Sequence, residues 1–162
     1  MNQSHNIKRF GKLHPIATVL VAASVAGMTA CANSEERATF PVPDSATSVT
    51  VARMSMHAFL AEYRRNLIVE GQGRPARRLE MFADTGGYSR ANLYRIDDQR
   101  VLLRDADSSY TIEVATGTVS KDDKRQAAAI FLGSFDVDAT GRWRFILARE
   151  RPELPTEFST GS

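Results

Sequence analysis

The chain is poor in the residues that most often carry cross-links or chemistry. It holds one cysteine, three histidines and one tryptophan in 162 residues. A lone thiol, Cys31, cannot close an intramolecular disulfide, which excludes the disulfide scaffolds of many small exported domains. Lysine is scarce as well. Beyond residue 12 the chain has Lys121 and Lys124, so arginine supplies nearly all of its positive charge. A long hydrophobic run is also missing. The apolar stretch from Ile16 to Met28 covers 13 residues, or roughly 20 Å as a helix at about 1.5 Å per residue. A bilayer core is about 30 Å thick and needs on the order of 20 apolar residues to cross.

What is present near the N-terminus has the three parts of a secretory signal. Lys8, Arg9 and Lys12 form a basic head, Ile16–Met28 an apolar body, and Met28-Thr29-Ala30-Cys31 a small-residue end. The last four residues resemble the lipobox of bacterial lipoproteins. The resemblance covers about the first 31 residues and departs at Met28, where that family usually has leucine or another branched aliphatic residue. It implies cleavage before Cys31, a diacylglyceryl group on its thiol and commonly an acylated new amine. Aspartate directly after the cysteine retains such proteins at the inner membrane. Here that position is Ala32, so the resemblance implies a periplasm-facing lipoprotein of the bacterial outer membrane. Two rival outcomes stand beside it. Ala30-Cys31-Ala32 also fits an ordinary A-x-A cleavage site, which would release a soluble periplasmic protein beginning at Asn33, or the segment stays uncut as an anchor.

Cutting before Cys31 changes the charge. Lys8, Arg9 and Lys12 leave, and the remaining 132 residues carry 18 basic against 19 acidic side chains, a formal net of −1. Bulk charge therefore gives no sign of a nucleic-acid partner. The expected organisation is a signal over residues 1–30, a lipidated cysteine and flexible tether over 31–47, one small domain over 48–151 and a loose tail over 152–162. Pro41-Val42-Pro43 and Asp44-Ser45-Ala46-Thr47 give the tether its character.

Within the domain two periods compete. Met56, Phe59, Leu60, Tyr63 and Leu67 fall at helical spacing and predict a helix from Ser48 to about Asn66. Beyond it the period is two. Leu93–Ile96 and Val101–Leu103 flank a hairpin loop, Asp97–Arg100. Tyr110, Ile112 and Val114 alternate with polar residues and end in a turn at Ala115–Thr118. Asp122–Ala129 is compatible with a helical turn or two. Phe131, Gly133, Phe135 and Val137 predict one strand face, and Trp143, Phe145 and Leu147 the next. Asp138-Ala139-Thr140-Gly141 joins them as a type I turn. The predicted fold class is α+β, one helix packed on an antiparallel meander of about six strands.

Catalytic equipment is sparse. After processing His57 is the sole imidazole, which excludes the usual His/Cys zinc sets and any thiol–imidazole nucleophile. No serine sits in a G-x-S-x-G setting. Aspartates come in pairs at 97/98, 105/107, 122/123 and 136/138. Asp136 to Gly141 copies the start of a calcium loop, yet Leu147 stands where a bidentate glutamate is required. Paired acids are also what glycoside hydrolysis uses. Arg74, Arg77 and Arg78, beside Gly71-Gln72-Gly73, form a cationic cluster suited to a carboxylate, a phosphate or an acidic partner. Trp143, between Arg142 and Arg144, reads first as a core residue. These features predict a non-enzymatic, cofactor-free lipoprotein, held to the membrane by lipid on Cys31, that binds an envelope protein or glycan as a structural or assembly module. A hydrolase of wall glycans and an exclusion, immunity or inhibitor lipoprotein are the alternatives.

Overall fold

Val, Thr and Ile crowd the segments around Val49 and Ile68, and β-branched side chains favour a pleated, half-buried surface over a helix. The computed structural model describes residues 34–84, 90–122 and 129–156, all within the unit Cys31–Ser162. It is all-β there. Ten strands run β1 (Glu36–Pro41), β2 (Thr47–Ser55), β3 (Tyr63–Gly71), β4 (Arg77–Glu80), β5 (Ala91–Arg95), β6 (Arg100–Arg104), β7 (Ser109–Glu113), β8 (Val119–Asp122), β9 (Ile130–Val137) and β10 (Trp143–Leu147). They form two antiparallel sheets, β1-β2-β3-β4 and β10-β9-β5-β6-β7-β8.

The predicted helix is therefore corrected. Ser48–Asn66 spans β2, a loop and the start of β3, and among the described residues there is no helix. The apolar residues at helical spacing are not one stripe. Met56, Phe59 and Leu60 lie exposed in the loop, while Leu67 is fully buried in β3. The pattern that governs is period two. Val49 and Val51 in β2 stand opposite Val69 and Leu67 in β3, across an unbroken nine-pair register. Long-range pairing has overridden a chance helical spacing.

One core lies between the sheets. Val49, Val51, Leu67 and Val69 meet Leu93, Val101, Leu103, Ile112 and Phe135 in a single buried cluster, where each such side chain is worth about 1.5–3 kcal/mol relative to exposure. Along one side the sheets come together at β1 and β10, where the Phe40 and Phe145 rings pack with centroids 4.5 Å apart. Trp143 belongs to this core, as its alternation predicted, and its Nε1 donates to the Val51 carbonyl at 2.9 Å.

Three further expectations change. Residues 36–41, expected to be tether, form the edge strand β1, paired with β2 from Glu36↔Arg53 to Pro41↔Ser48. The second sheet is not a simple meander, because β9 returns to pair with β5 rather than β8. At that seam the register shifts between Leu93 and Tyr94, opposite Gly133. The bulge reverses the alternation, so Leu132 packs on the core while the Phe131 ring sits 5.7 Å from Tyr94. The expected single face of Phe131 and Phe135 is thus broken by the glycine between them. Finally, the start of the C-terminal tail is docked. The Asn92 amide donates to the Leu154 carbonyl at 2.9 Å, the Tyr94 hydroxyl to Glu153 at 2.6 Å, and Arg90 to the Pro155 carbonyl at 2.8 Å. The helical turn expected within Asp122–Ala129 falls largely outside the described residues.

Candidate functional site

Four turns gather at one end of the two sheets, and their backbone bonds tie them together. In the β1–β2 turn the Val42 amide donates to Thr47 at 2.9 Å and Asp44 takes a left-handed φ of 57°. Aspartate tolerates that conformation better than most residues. The Gln72 amide of the β3–β4 turn donates to the Ala46 carbonyl at 3.3 Å, and the Val114 amide donates to Gln99 at 2.8 Å. Thr47 completes the join, its hydroxyl donating to the Val114 carbonyl at 2.8 Å from one sheet to the other.

Two adjoining recesses open among these turns. One, of about 660 Å³, is lined by Asp44, Thr47, Gln72, Arg74, Asp98 and Gln99 among others. The second, of about 420 Å³, shares Asp44, Asp98 and Val114 and adds Arg95, Asp97 and Leu132. The lip is polar and of mixed charge. Asp97 is fixed within it by Arg100, whose Nη2 lies 2.6 Å from Oδ2, and by the Gln99 amide at 2.9 Å; these bonds hold its carboxyl below the usual range.

Of the three arginines expected to act as a cationic cluster, Arg74 and Arg77 line one small recess and Arg78 stands apart from them. Arg74 is drawn inward as a pin between the sheets, its Nη1 donating to the Ala115 carbonyl at 2.6 Å and its Nη2 to the Thr47 hydroxyl at 3.1 Å. Gly71 makes room for it, since a Cβ there would stand 2.1 Å from Nη2. Arg77 and Arg78 are neighbours in β4 and so point to opposite faces. Arg78 pairs with Glu35 at the start of the described chain. Arg77 lines a smaller recess of about 240 Å³ with Arg74, Pro75 and Thr116.

The remaining candidates are also placed. His57 lies in the β2–β3 loop, not on a helix, with Nε2 3.1 Å from Glu62. Asp136 is gripped by Arg90 at 2.8 Å and Arg151 at 2.6 Å. Asp138 caps its turn. The Thr140 hydroxyl, the Arg142 and Thr140 amides and Arg144 all donate to it, and hold its carboxyl far below the usual range. Both acids of the calcium-like segment are thus satisfied by the protein itself. Among the described residues no group of three or more His, Cys, Asp or Glu is placed to hold a metal ion. Asp105 is different: it is sealed at the opposite end of the sandwich, 3.2 Å from Arg65. Burial pushes its carboxyl up, against the opposing pull of Arg65 and of the Ser108 and Asp107 amides. Asp123 falls outside the described residues, as does Cys31.

Comparison with protein-family models, curated proteins and solved structures finds no match to this chain. Of the lip residues, the sequence marks Gln72, Asp98 and Gln99 as turn residues, Asp44 as part of a tether and Arg95 as part of a strand. Their shared position depends on how distant turns come together, and the sequence signal for that was the Gly71-Gln72-Gly73-Arg74 step that lets Arg74 bridge the sheets.

Proposed function

We propose that this chain is an outer-membrane lipoprotein, anchored through Cys31, that serves as a non-catalytic binding module for another envelope protein. The observation that carries the reading is the placement of the polar recess. Glu36, five residues after Cys31, stands opposite Arg53 at one end of β2, while Asp44, Gln72 and Asp98 gather around Thr47 at the other. A lipid on Cys31 would hold the first end at the membrane and leave the recess directed away from it. A mixed-charge lip of about 660 Å³ behind it suits a polar polypeptide segment.

The three carboxylates at the lip, Asp44, Asp97 and Asp98, favour a second reading as a glycan hydrolase. That chemistry needs one carboxyl kept protonated as the acid. Among the described residues the carboxyl that burial raises is Asp105, which lies at the other end against Arg65, and Arg100 holds the Asp97 carboxyl below the usual range. The binding reading is therefore preferred.

Replacing Cys31 with serine tests the anchor: palmitate labelling and membrane fractionation should both be lost, and retention of either overturns it. A photo-crosslinking residue at Gln99 tests the recess. A discrete adduct that disappears when Asp98 is changed to lysine supports the binding role, and the absence of any adduct across salt concentrations counts against it.

A further inference from the structure

The loop joining β2 to β3 presents its apolar side chains to solvent. Phe59 is 98% exposed and Leu60 57%, with Met56 beside them at 39%. The loop is nevertheless built. The Met56 amide donates to the Glu62 carbonyl at 2.9 Å and closes its base, His57 pairs with Glu62 at 3.1 Å, and the Ser55 hydroxyl donates to the His57 carbonyl at 2.5 Å. The polar groups are thus used up at the base, and Phe59 and Leu60 are left at the tip. A single exposed apolar side chain is ordinary, but three within one short loop make the kind of patch that marks an interaction or membrane site.

Its position says what covers it. Glu36 pairs with Arg53, so the start of β1 lies beside the strand end from which this loop projects. Cys31 is five residues before Glu36, a distance of at most about 18 Å for extended chain. Phe82 stands at the same end. Asp84 bridges to Tyr63, the Phe82 carbonyl accepts from Arg65, and the ring is half exposed with the Lys121 Nζ 4.3 Å from its centroid. Arg64, opposite Met54, and Arg37 are exposed close by, paired with Glu80 and Glu35 respectively, so charge at this end is mixed. Exposed aromatic and aliphatic side chains close to where a lipid would hold the chain are what a bilayer interface accommodates, the rings at headgroup depth.

We propose that the Met56–Glu62 loop inserts Phe59 and Leu60 into the surface of the membrane that holds the anchor, fixing the domain's orientation so that the recess points away. The proposal rests on the lipoprotein reading, and the test separates the two. The full-length protein is expressed in a bacterial host, purified from membranes in detergent, treated with an environment-sensitive maleimide dye and reconstituted in vesicles of phosphatidylethanolamine and phosphatidylglycerol. With Cys31 lipidated, the parent takes up no dye. Dye on the parent overturns the anchor and leaves the loop to be tested in the Cys31→Ser chain added to the same vesicles. In the Phe59→Cys variant the dye should shift to shorter wavelength and be quenched by brominated acyl chains. In Gln72→Cys, on the turn at the far end, it should keep its emission in water. Water-like emission at position 59 overturns the insertion. So does a shift that brominated chains do not quench, which would put a second copy or a protein partner on the loop.

Discussion

Replacing Arg65 with methionine should cost the domain about 3–5 kcal/mol, because it strips one partner from a buried ion pair. Arg65 is 1% exposed and Asp105 2%. The guanidinium donates through Nε and Nη2 to the Phe82 carbonyl at 3.1 and 2.9 Å, and through Nη2 to Asp105 at 3.2 Å. Methionine fills similar space but leaves that carbonyl without these donors and leaves the Asp105 carboxylate with the Asp107 and Ser108 amides alone. Hydrogen bonds to charged groups contribute about 1.5–3 kcal/mol each, so the total is a large part of the 5–15 kcal/mol typical of a domain. It corresponds to a drop in Tm of about 10–20 °C for a chain of this size. Asp105→Asn keeps an oxygen for the two amides and should cost less, about 1–2 kcal/mol. The double variant should fall short of the sum of the two by at least about 1 kcal/mol. Trp143, the single tryptophan and buried in the core, reports urea unfolding directly. The sign of the pH dependence follows from the same pair. Burial already raises the Asp105 carboxyl, so the folded state prefers it protonated, and removing Arg65 strengthens that preference. The Arg65→Met penalty should therefore be largest near neutral pH and shrink as pH falls towards about 4, the ordinary aspartate range. An Arg65→Met cost below about 1 kcal/mol, or costs that simply add in the double variant, would refute the assignment of this pair as a structural tie.

Gly133→Ala should destabilise by about 3 kcal/mol or more, since φ is +150° and the new Cβ would lie 2.2 Å from the Ile146 carbonyl oxygen. Gly141→Ala, also left-handed at φ +81° but with nothing within 4 Å, should cost about 1 kcal/mol; equal urea midpoints for the two variants would contradict the close approach at the bulge. Asp138 is held far below its usual range by Thr140, the turn amides and Arg144. Its contribution is present above the unfolded-state value near pH 4 and lost as pH falls. Asp138→Asn should accordingly flatten the fall of the urea midpoint between about pH 5 and pH 2, and an unchanged slope would show that the turn does not hold the carboxylate.

Much of the second sheet was legible because its cues are local. Alternation in Tyr110–Val114 and Trp143–Leu147 and the Asp138–Gly141 turn put β7, β10 and their bends where they stand, since neighbouring side chains and turn residues set them. The first sheet was not. Met56, Phe59, Leu60, Tyr63 and Leu67 keep helical spacing, and nothing nearby reveals that the first three serve a solvent-facing loop while Leu67 serves a strand. The β2–β3 register decides it, and register is a property of two segments together. The same holds for Arg74, Arg77 and Arg78. Close in sequence, they are divided by the pleat, which sends Arg78 away from Arg77, and Arg74 is turned inward by carbonyls at Ala115 and Val114, some 40 residues away.

By itself the sequence determined the period of the later strands, the absence of any internal disulfide, and a basic, signal-like head without which the formal net charge would be −1. These depend on composition and on contacts within a few residues. The tertiary structure alone decided that residues 36–41 join the sheet, that Gly133 reverses the alternation of β9, and that Asp44, Gln72, Asp98 and Gln99 share one lip. It also set Phe59 beside the strand end where the chain leads back to Cys31. Each of these arises from pairing between segments far apart in the chain, and the free energy of such pairing is stored in contacts that no single segment contains.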